Sequence, residues 1–137
     1  MIMVDTNILI DLRERDPVWY EWSLGSLVDA RATGIVAASA TVTGELATRN
    51  VSLRDLKGLF ADYRIRVEPV GIEAAYAAGQ AHRAYRERGG TREKLLADFL
   101  IGGHALAAGA TLITRDARRY RAYFPDLPLI TPENDNG

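Results

Sequence analysis

Four short apolar runs punctuate the chain: residues 1–4 (MIMV), 35–38 (IVAA), 111–114 (TLIT) and, more weakly, 128–130 (PLI). Continuous apolar stretches of this length suit parallel strands buried on both faces. A fifth candidate, 65–70 (IRVEPV), is cut short by Pro69, because proline cannot donate to a ladder. Between the runs, helical periodicity covers roughly 17–32, 40–49, 52–63, 71–88 and 92–108. Shorter helices are expected over Ile8–Leu12 and from Ala117 onward. Gly89-Gly90 and Gly109 stand where helix C-caps belong. Strands alternating with helices predict a single three-layer α/β domain, with a parallel sheet built through right-handed crossovers.

The chain's 137 residues suffice for one domain with its own core. A hydrophobic fraction of 47% excludes disorder. There are no cysteines, which removes thiol chemistry, iron–sulfur clusters and disulfides and suits a reducing compartment. No signal sequence or membrane-spanning run is visible, so the expected location is cytoplasmic. The net charge of −1 gives no bulk attraction to nucleic acid. Its cationic part is skewed, with fifteen Arg against two Lys (Lys57, Lys94). Arginine is the better bidentate phosphate partner, although an Arg- and Ala-rich coding bias gives the same count.

The expected topology determines where the acidic side chains go. Asp5 follows the first strand and Asp116 lies two residues past the strand 111–114, both at the carboxyl edge of the sheet. Glu45 is in the second turn of the helix leaving the second strand. Asp98 is near the start of the helix that feeds strand 111–114. All four reach one rim, where open α/β sheets bind ligands. Each has a plainer reading: Asp5 and Asp116 as helix caps, Glu45 as a solvated helix residue, Asp98 as the ion-pair partner of Lys94 one turn away. Asp98 is the hardest to dismiss. Its neighbours Leu95, Leu96, Ala97, Phe99, Leu100 and Ile101 mark a buried helix, and a buried carboxylate needs a partner or a metal. Hard divalent cations prefer carboxylate oxygens. Two of them, ~4 Å apart, activate water and stabilise the leaving oxygen of a phosphodiester.

These residues also carry a family resemblance. Asp5-Thr6-Asn7-Ile8-Leu9-Ile10-Asp11, Thr43-Gly44-Glu45-Leu46, Asp98-Phe99-Leu100-Ile101-Gly102-Gly103-His104-Ala105 and Leu112-Ile113-Thr114-Arg115-Asp116 resemble, in order, the four acidic motifs of PIN-domain nucleases. Tyr120, Tyr123, Phe124-Pro125 and the ending 127–132 (LPLITP) also fit. The length is similar to the VapC-type toxin branch. The resemblance implies a five-stranded parallel sheet of order 3-2-1-4-5 over residues 1–132, with a short tail at 133–137. It implies a Mg²⁺- or Mn²⁺-dependent endoribonuclease, an RNA substrate, a cognate antitoxin and a homodimer. Asp5, Glu45, Asp98 and Asp116 would be the catalytic, metal-binding set, supported by Thr6, Asn7 and Thr114. Gly102-Gly103 depart from the small Ala residues more usual there and are expected to loosen the helix. Arg118-Arg119 leave Asp116 without a further acidic neighbour.

Arg115, Arg118 and Arg119, with Arg121, are candidates for gripping RNA phosphates, against the plainer reading of a solvated face. Trp19, Tyr20 and Trp22 suit packing better than base stacking. His104 reads as structural and His82 as a helix–helix or dimer contact. Two other enzymes lack residues they need. A haloacid-dehalogenase-like phosphatase requires an Asp where Asn7 stands, and a response-regulator receiver requires adjacent acids after the first strand. A non-catalytic RNA-binding module would gain nothing from four rim carboxylates.

Overall fold

The computed structural model describes residues 1–91 and 96–132. Five strands, β1 (Ile2–Val4), β2 (Val36–Ser39), β3 (Arg66–Glu68), β4 (Thr111–Ile113) and β5 (Leu129–Ile130), form one sheet of order β3-β2-β1-β4-β5. Every pairing is parallel, and Met3 lies level with Ala37 on one side and Leu112 on the other. The apolar runs are the inner strands: Met3, Val4, Ala37, Ala38, Leu112 and Ile113 are all buried. The weakest expectation, the run ending at Pro69, is the edge strand β3, where Arg66 and Val67 are exposed. An edge needs only one ladder, so a short and partly polar strand suffices there.

The helices are α1 (Thr6–Glu14), α2 (Tyr20–Thr33), α3 (Ala40–Ala47), α4 (Leu53–Asp62), α5 (Ile72–Glu87), α6 (Leu96–Ala107) and α7 (Ala117–Tyr123). Local chemistry sets several of their ends. Ser52 accepts from the Asp55 amide at the start of α4, and Ser39 does the same for Thr41 in α3. α2 begins at Tyr20 rather than 17, because Asp16 and Pro17 form a separate turn in which the Asp16 carboxylate accepts from the Val18 and Trp19 amides. Gly89 and Gly109, with φ of 87° and 65°, follow the last turns of α5 and α6. The first four residues of the expected helix 92–108, including Lys94, and the tail 133–137 lie outside the described residues. Among the described residues, no helix is long and apolar enough to cross a membrane.

Gly102 and Gly103 let the neighbours of α6 approach it closely. A Cβ on Gly103 would stand 2.6 Å from the Ala78 amide nitrogen and 2.8 Å from the Ala74 carbonyl of α5. A Cβ on Gly102 would collide with the Phe124 ring. The conformational cost of glycine in a helix, up to about 1 kcal/mol each, is accepted because α5 lies backbone-close on α6. Next to Asp98, the buried Phe99 ring packs at tilted angles against Tyr123 (4.6 Å between centroids), His82 (5.0 Å) and Tyr85 (5.8 Å). This cluster ties the start of α6 to α5 and α7 and so holds Asp98 at the sheet rim.

Candidate active site

Asp5 continues the ladder beyond β1, with its amide donating to the Ile113 carbonyl. Its carboxylate is buried, and each oxygen has a task. Oδ1 accepts from the Thr6 amide at 2.8 Å, capping α1, and Oδ2 accepts from the Thr114 hydroxyl at 2.7 Å. Asn7 adds a long contact of 3.4 Å to Oδ2. The Tyr120 hydroxyl, fully buried on α7, lies beside Asp5, with a geometry short of a standard hydrogen bond. Burial dominates these interactions and raises the Asp5 carboxyl from 3.8 to about 6; the Thr114 hydroxyl opposes the rise and the Asp98 charge adds to it.

Glu45 reaches the rim from α3. Its Oε1 accepts from the Thr6 hydroxyl at 2.5 Å, so one residue, Thr6, holds carboxylates from two elements with its hydroxyl and its amide. Beside it opens a cleft of about 230 Å³ lined by Thr6, Ile10, Glu45, Thr48 and Arg49. Thr114 carries the same linkage across the sheet, because its hydroxyl oxygen accepts from the Asp116 amide at 2.9 Å while donating to Asp5.

Asp98 projects from the first turn of α6 and is half-buried. Burial raises its pKa, Arg119 lowers it, and the charges of Glu45 and Asp116 raise it further. Its partner is Arg119 of α7, which donates to Asp98 Oδ2 and lies 3.2 Å from Asp116 Oδ2. The four acidic residues thus share one electrostatic site. Among the described residues, no three His, Cys, Asp or Glu side chains already converge as a metal-holding group, and Arg119 balances the charge between Asp98 and Asp116.

The other Arg candidates separate. Arg115 is engaged with the fully buried Asp11: Nε donates to Oδ2 at 2.8 Å and Nη2 to Oδ1 at 2.9 Å. Its guanidinium also sits 5.1 Å from the Trp19 ring, and Ser23 completes the Asp11 shell at 2.6 Å. This network anchors the loop that carries Asp116 to α1 and α2. Arg118 is exposed. Reading the sequence missed Asp11 as the partner of Arg115, Arg49 at the cleft and Tyr120 beneath Asp5. Asp11 was legible, as an acid among Ile8, Leu9, Ile10 and Leu12 that needs a cation. His104 is buried, with no partner for Nδ1 among the described residues, and burial lowers its pKa. The half-buried His82 packs on Phe99 and accepts from Arg86 at 3.3 Å.

The model of the PIN domain matches residues 2–125. The chain belongs to the PIN-domain family. No curated protein matches it. Solved structures similar to this PIN domain include a chain of VapBC2 from Rickettsia felis, bound to a DNA fragment from their promoter, with a TM-score of 0.74 and 21% identity over 96% of this chain and 98% of that one. A chain of VapBC-1 from nontypeable Haemophilus influenzae gives 0.71 and 20% over 96% and 98%. A chain of FitAcB from Neisseria gonorrhoeae gives 0.67 and 23% over 97% and 99%. At such identities the likeness is one of fold. It extends over nearly the full length of both chains, as does the PIN domain here.

Proposed function

We propose that this PIN domain is a Mg²⁺- or Mn²⁺-dependent endoribonuclease, the toxin of a toxin–antitoxin pair, with its nuclease unit over residues 1–132. The observation that supports the reading is the set of links at the rim: Thr6 bonds Asp5 and Glu45, Thr114 bonds the Asp5 carboxylate and the Asp116 amide, and Arg119 pairs with Asp98 and Asp116. Carboxylates linked in this way are unfavourable neighbours without a cation. The donors are all carboxylate oxygens, which fits a hard divalent ion, and a guanidinium already stands between two of them. When bound, such an ion supplies Lewis-acid activation of water and stabilisation of the leaving oxygen.

The chain's own residues do the positioning. Thr6 orients Glu45 with its hydroxyl and Asp5 with its amide. Thr114 fixes Asp5 relative to the Asp116 backbone. Asn7 sits against both Asp5 and Thr114. These second contacts keep the oxygens in place under mutual repulsion. Exposed Arg118 is a candidate contact for an RNA backbone, whereas Arg49 at the cleft is engaged by Glu14, its Nη2 donating to Oε1 at 2.7 Å. An antitoxin partner is supported by the similar structures, which are VapBC and FitAcB assemblies. A homodimer is suggested by Ile72 and Tyr76, 85% and 68% exposed and one turn apart on α5.

The test is cleavage of total RNA by the purified protein and by Asp98→Asn. Cleavage should require Mg²⁺ or Mn²⁺, leave 5′-phosphate and 3′-hydroxyl ends and be abolished in the variant. Undiminished cleavage in excess chelator refutes the reading.

A further inference from the structure

We propose that Arg119 is the built-in counter-ion of the carboxylate site: it holds the place of a divalent cation between Asp98 and Asp116 and is exchanged for it. This rests on the metal-binding reading above. Arg119 lies three residues past Asp116 on α7, and its guanidinium spans carboxylates from two elements, contacting Oδ2 of Asp98 with Nη1 and Oδ2 of Asp116 with Nη2. The side chain keeps 35% of its surface exposed and Asp98 only 15%, so the cation can leave toward solvent while the carboxylate stays. Asp98, with only 15% of its side-chain surface exposed, needs a partner for its carboxylate, and the Arg119 guanidinium is the one it has. A guanidinium does not deprotonate in a protein. It therefore cannot yield to an incoming ion by losing its charge, and must move away as a cation. With Arg119 in place the metal-free site has one positive charge set between two of its carboxylates, and an arriving ion must both displace a hydrogen-bonded partner and tolerate a positive neighbour.

The consequence is read in metal affinity, without RNA or turnover. Mn²⁺ binding to the full chain, followed by electron paramagnetic resonance and calorimetry, compares the parent with Arg119→Gln, Arg119→Met and Arg119→Lys. The Gln and Met variants should bind Mn²⁺ at least roughly tenfold more tightly, the effect of removing a unit charge a few ångströms from a divalent ion. In chelator they should melt below the parent, since Asp98 and Asp116 lose their counter-ion. The Lys variant keeps the charge and should stay close to the parent in affinity. Unchanged or weaker binding in a folded Gln or Met variant overturns the proposal and makes Arg119 a scaffold that shapes the site. A Lys variant as tight as Gln overturns the charge exchange as well. If the parent binds Mn²⁺ and only these comparisons fail, the metal-binding reading stands; if neither parent nor variants bind it, both readings fall together.

Discussion

The Asp5 carboxyl provides a test of the site that needs no substrate. Burial raises it from 3.8 to about 6 in the folded protein. A folded state that holds a proton more tightly than the unfolded chain is favoured while that proton is bound. Its contribution is complete below pH 3.8 and is lost as pH rises through 6. At 1.36 kcal/mol per factor of ten in proton affinity, ionising Asp5 inside the fold costs about 3 kcal/mol at neutral pH. Asp5→Asn removes the charge and keeps the cap, because asparagine caps a helix as well as aspartate does. It loses one bond: Thr114 donates to Asp5 Oδ2 but already accepts from the Asp116 amide, so an Asn amide there has a poor partner. That loss is worth about 1 kcal/mol.

In chelator at pH 8 the variant should therefore be more stable than the parent by about 2 kcal/mol, a rise of several degrees in melting temperature. At pH 4, where the parent's Asp5 is protonated in the fold, the order should reverse by about 1 kcal/mol. Urea unfolding of both proteins from pH 4 to 8 measures the difference directly. Most buried polar substitutions destabilise, so a pH-dependent change of sign is diagnostic. A difference that is flat with pH, or an Asn variant that is weaker at pH 8, refutes the assignment of a buried, electrostatically loaded Asp5.

Three further outcomes are expected. Gly103→Ala should destabilise by about 1–3 kcal/mol in chemical unfolding, because its Cβ meets α5 backbone rather than a yielding side chain. Arg115→Ala should cost about 3 kcal/mol by stranding the buried Asp11 carboxylate, and Asp11→Asn combined with it should cost less than the two single changes summed; additivity would show that the pair is not coupled. Arg118→Ala should leave stability unchanged and lower the slope of log RNA affinity against log salt by about one; an unchanged slope leaves Arg118 as solvated surface.

The sheet was legible because parallel strands must be apolar on both faces, so β1, β2 and β4 appear as unbroken runs. The placement expected for the acidic residues followed from topology, since Asp5 and Asp116 sit past strand ends, Asp98 in the first turn of a helix and Glu45 in the second turn of a short one. Side-chain partnerships were not legible, because they depend on where separate elements meet. Asp98 had a cation in sight at Lys94, outside the described residues, yet its observed partner is Arg119, on another helix. Arg115 and Arg119 are close in sequence, which suggests one basic face. The turn into α7 sends one to Asp11 and the other to Asp98 and Asp116. The need for Gly102-Gly103 was hidden for the same reason, because nothing in α6 itself reveals the backbone of α5 lying against it.

Capping and a place in the site are not exclusive roles for the acidic residues. In a parallel α/β fold, helices begin at the edge where strands end, so exposed N–H groups and a ligand rim occupy the same place. Asp5 serves both: one oxygen caps α1, and the other accepts from Thr114, whose hydroxyl also holds the Asp116 amide. Asp116 stands at the cap position of α7 but makes no side-chain cap bond, and its carboxylate turns to Arg119. A residue needed only as a cap would turn its oxygen toward the free amides, where it is worth about 1 kcal/mol. Asp116 forgoes that bond and stays beside Asp98, whose charge opposes its own. Helix formation alone does not favour this arrangement. It is favoured once a cation, the guanidinium here and a divalent ion in the proposed reaction, binds the two carboxylates together.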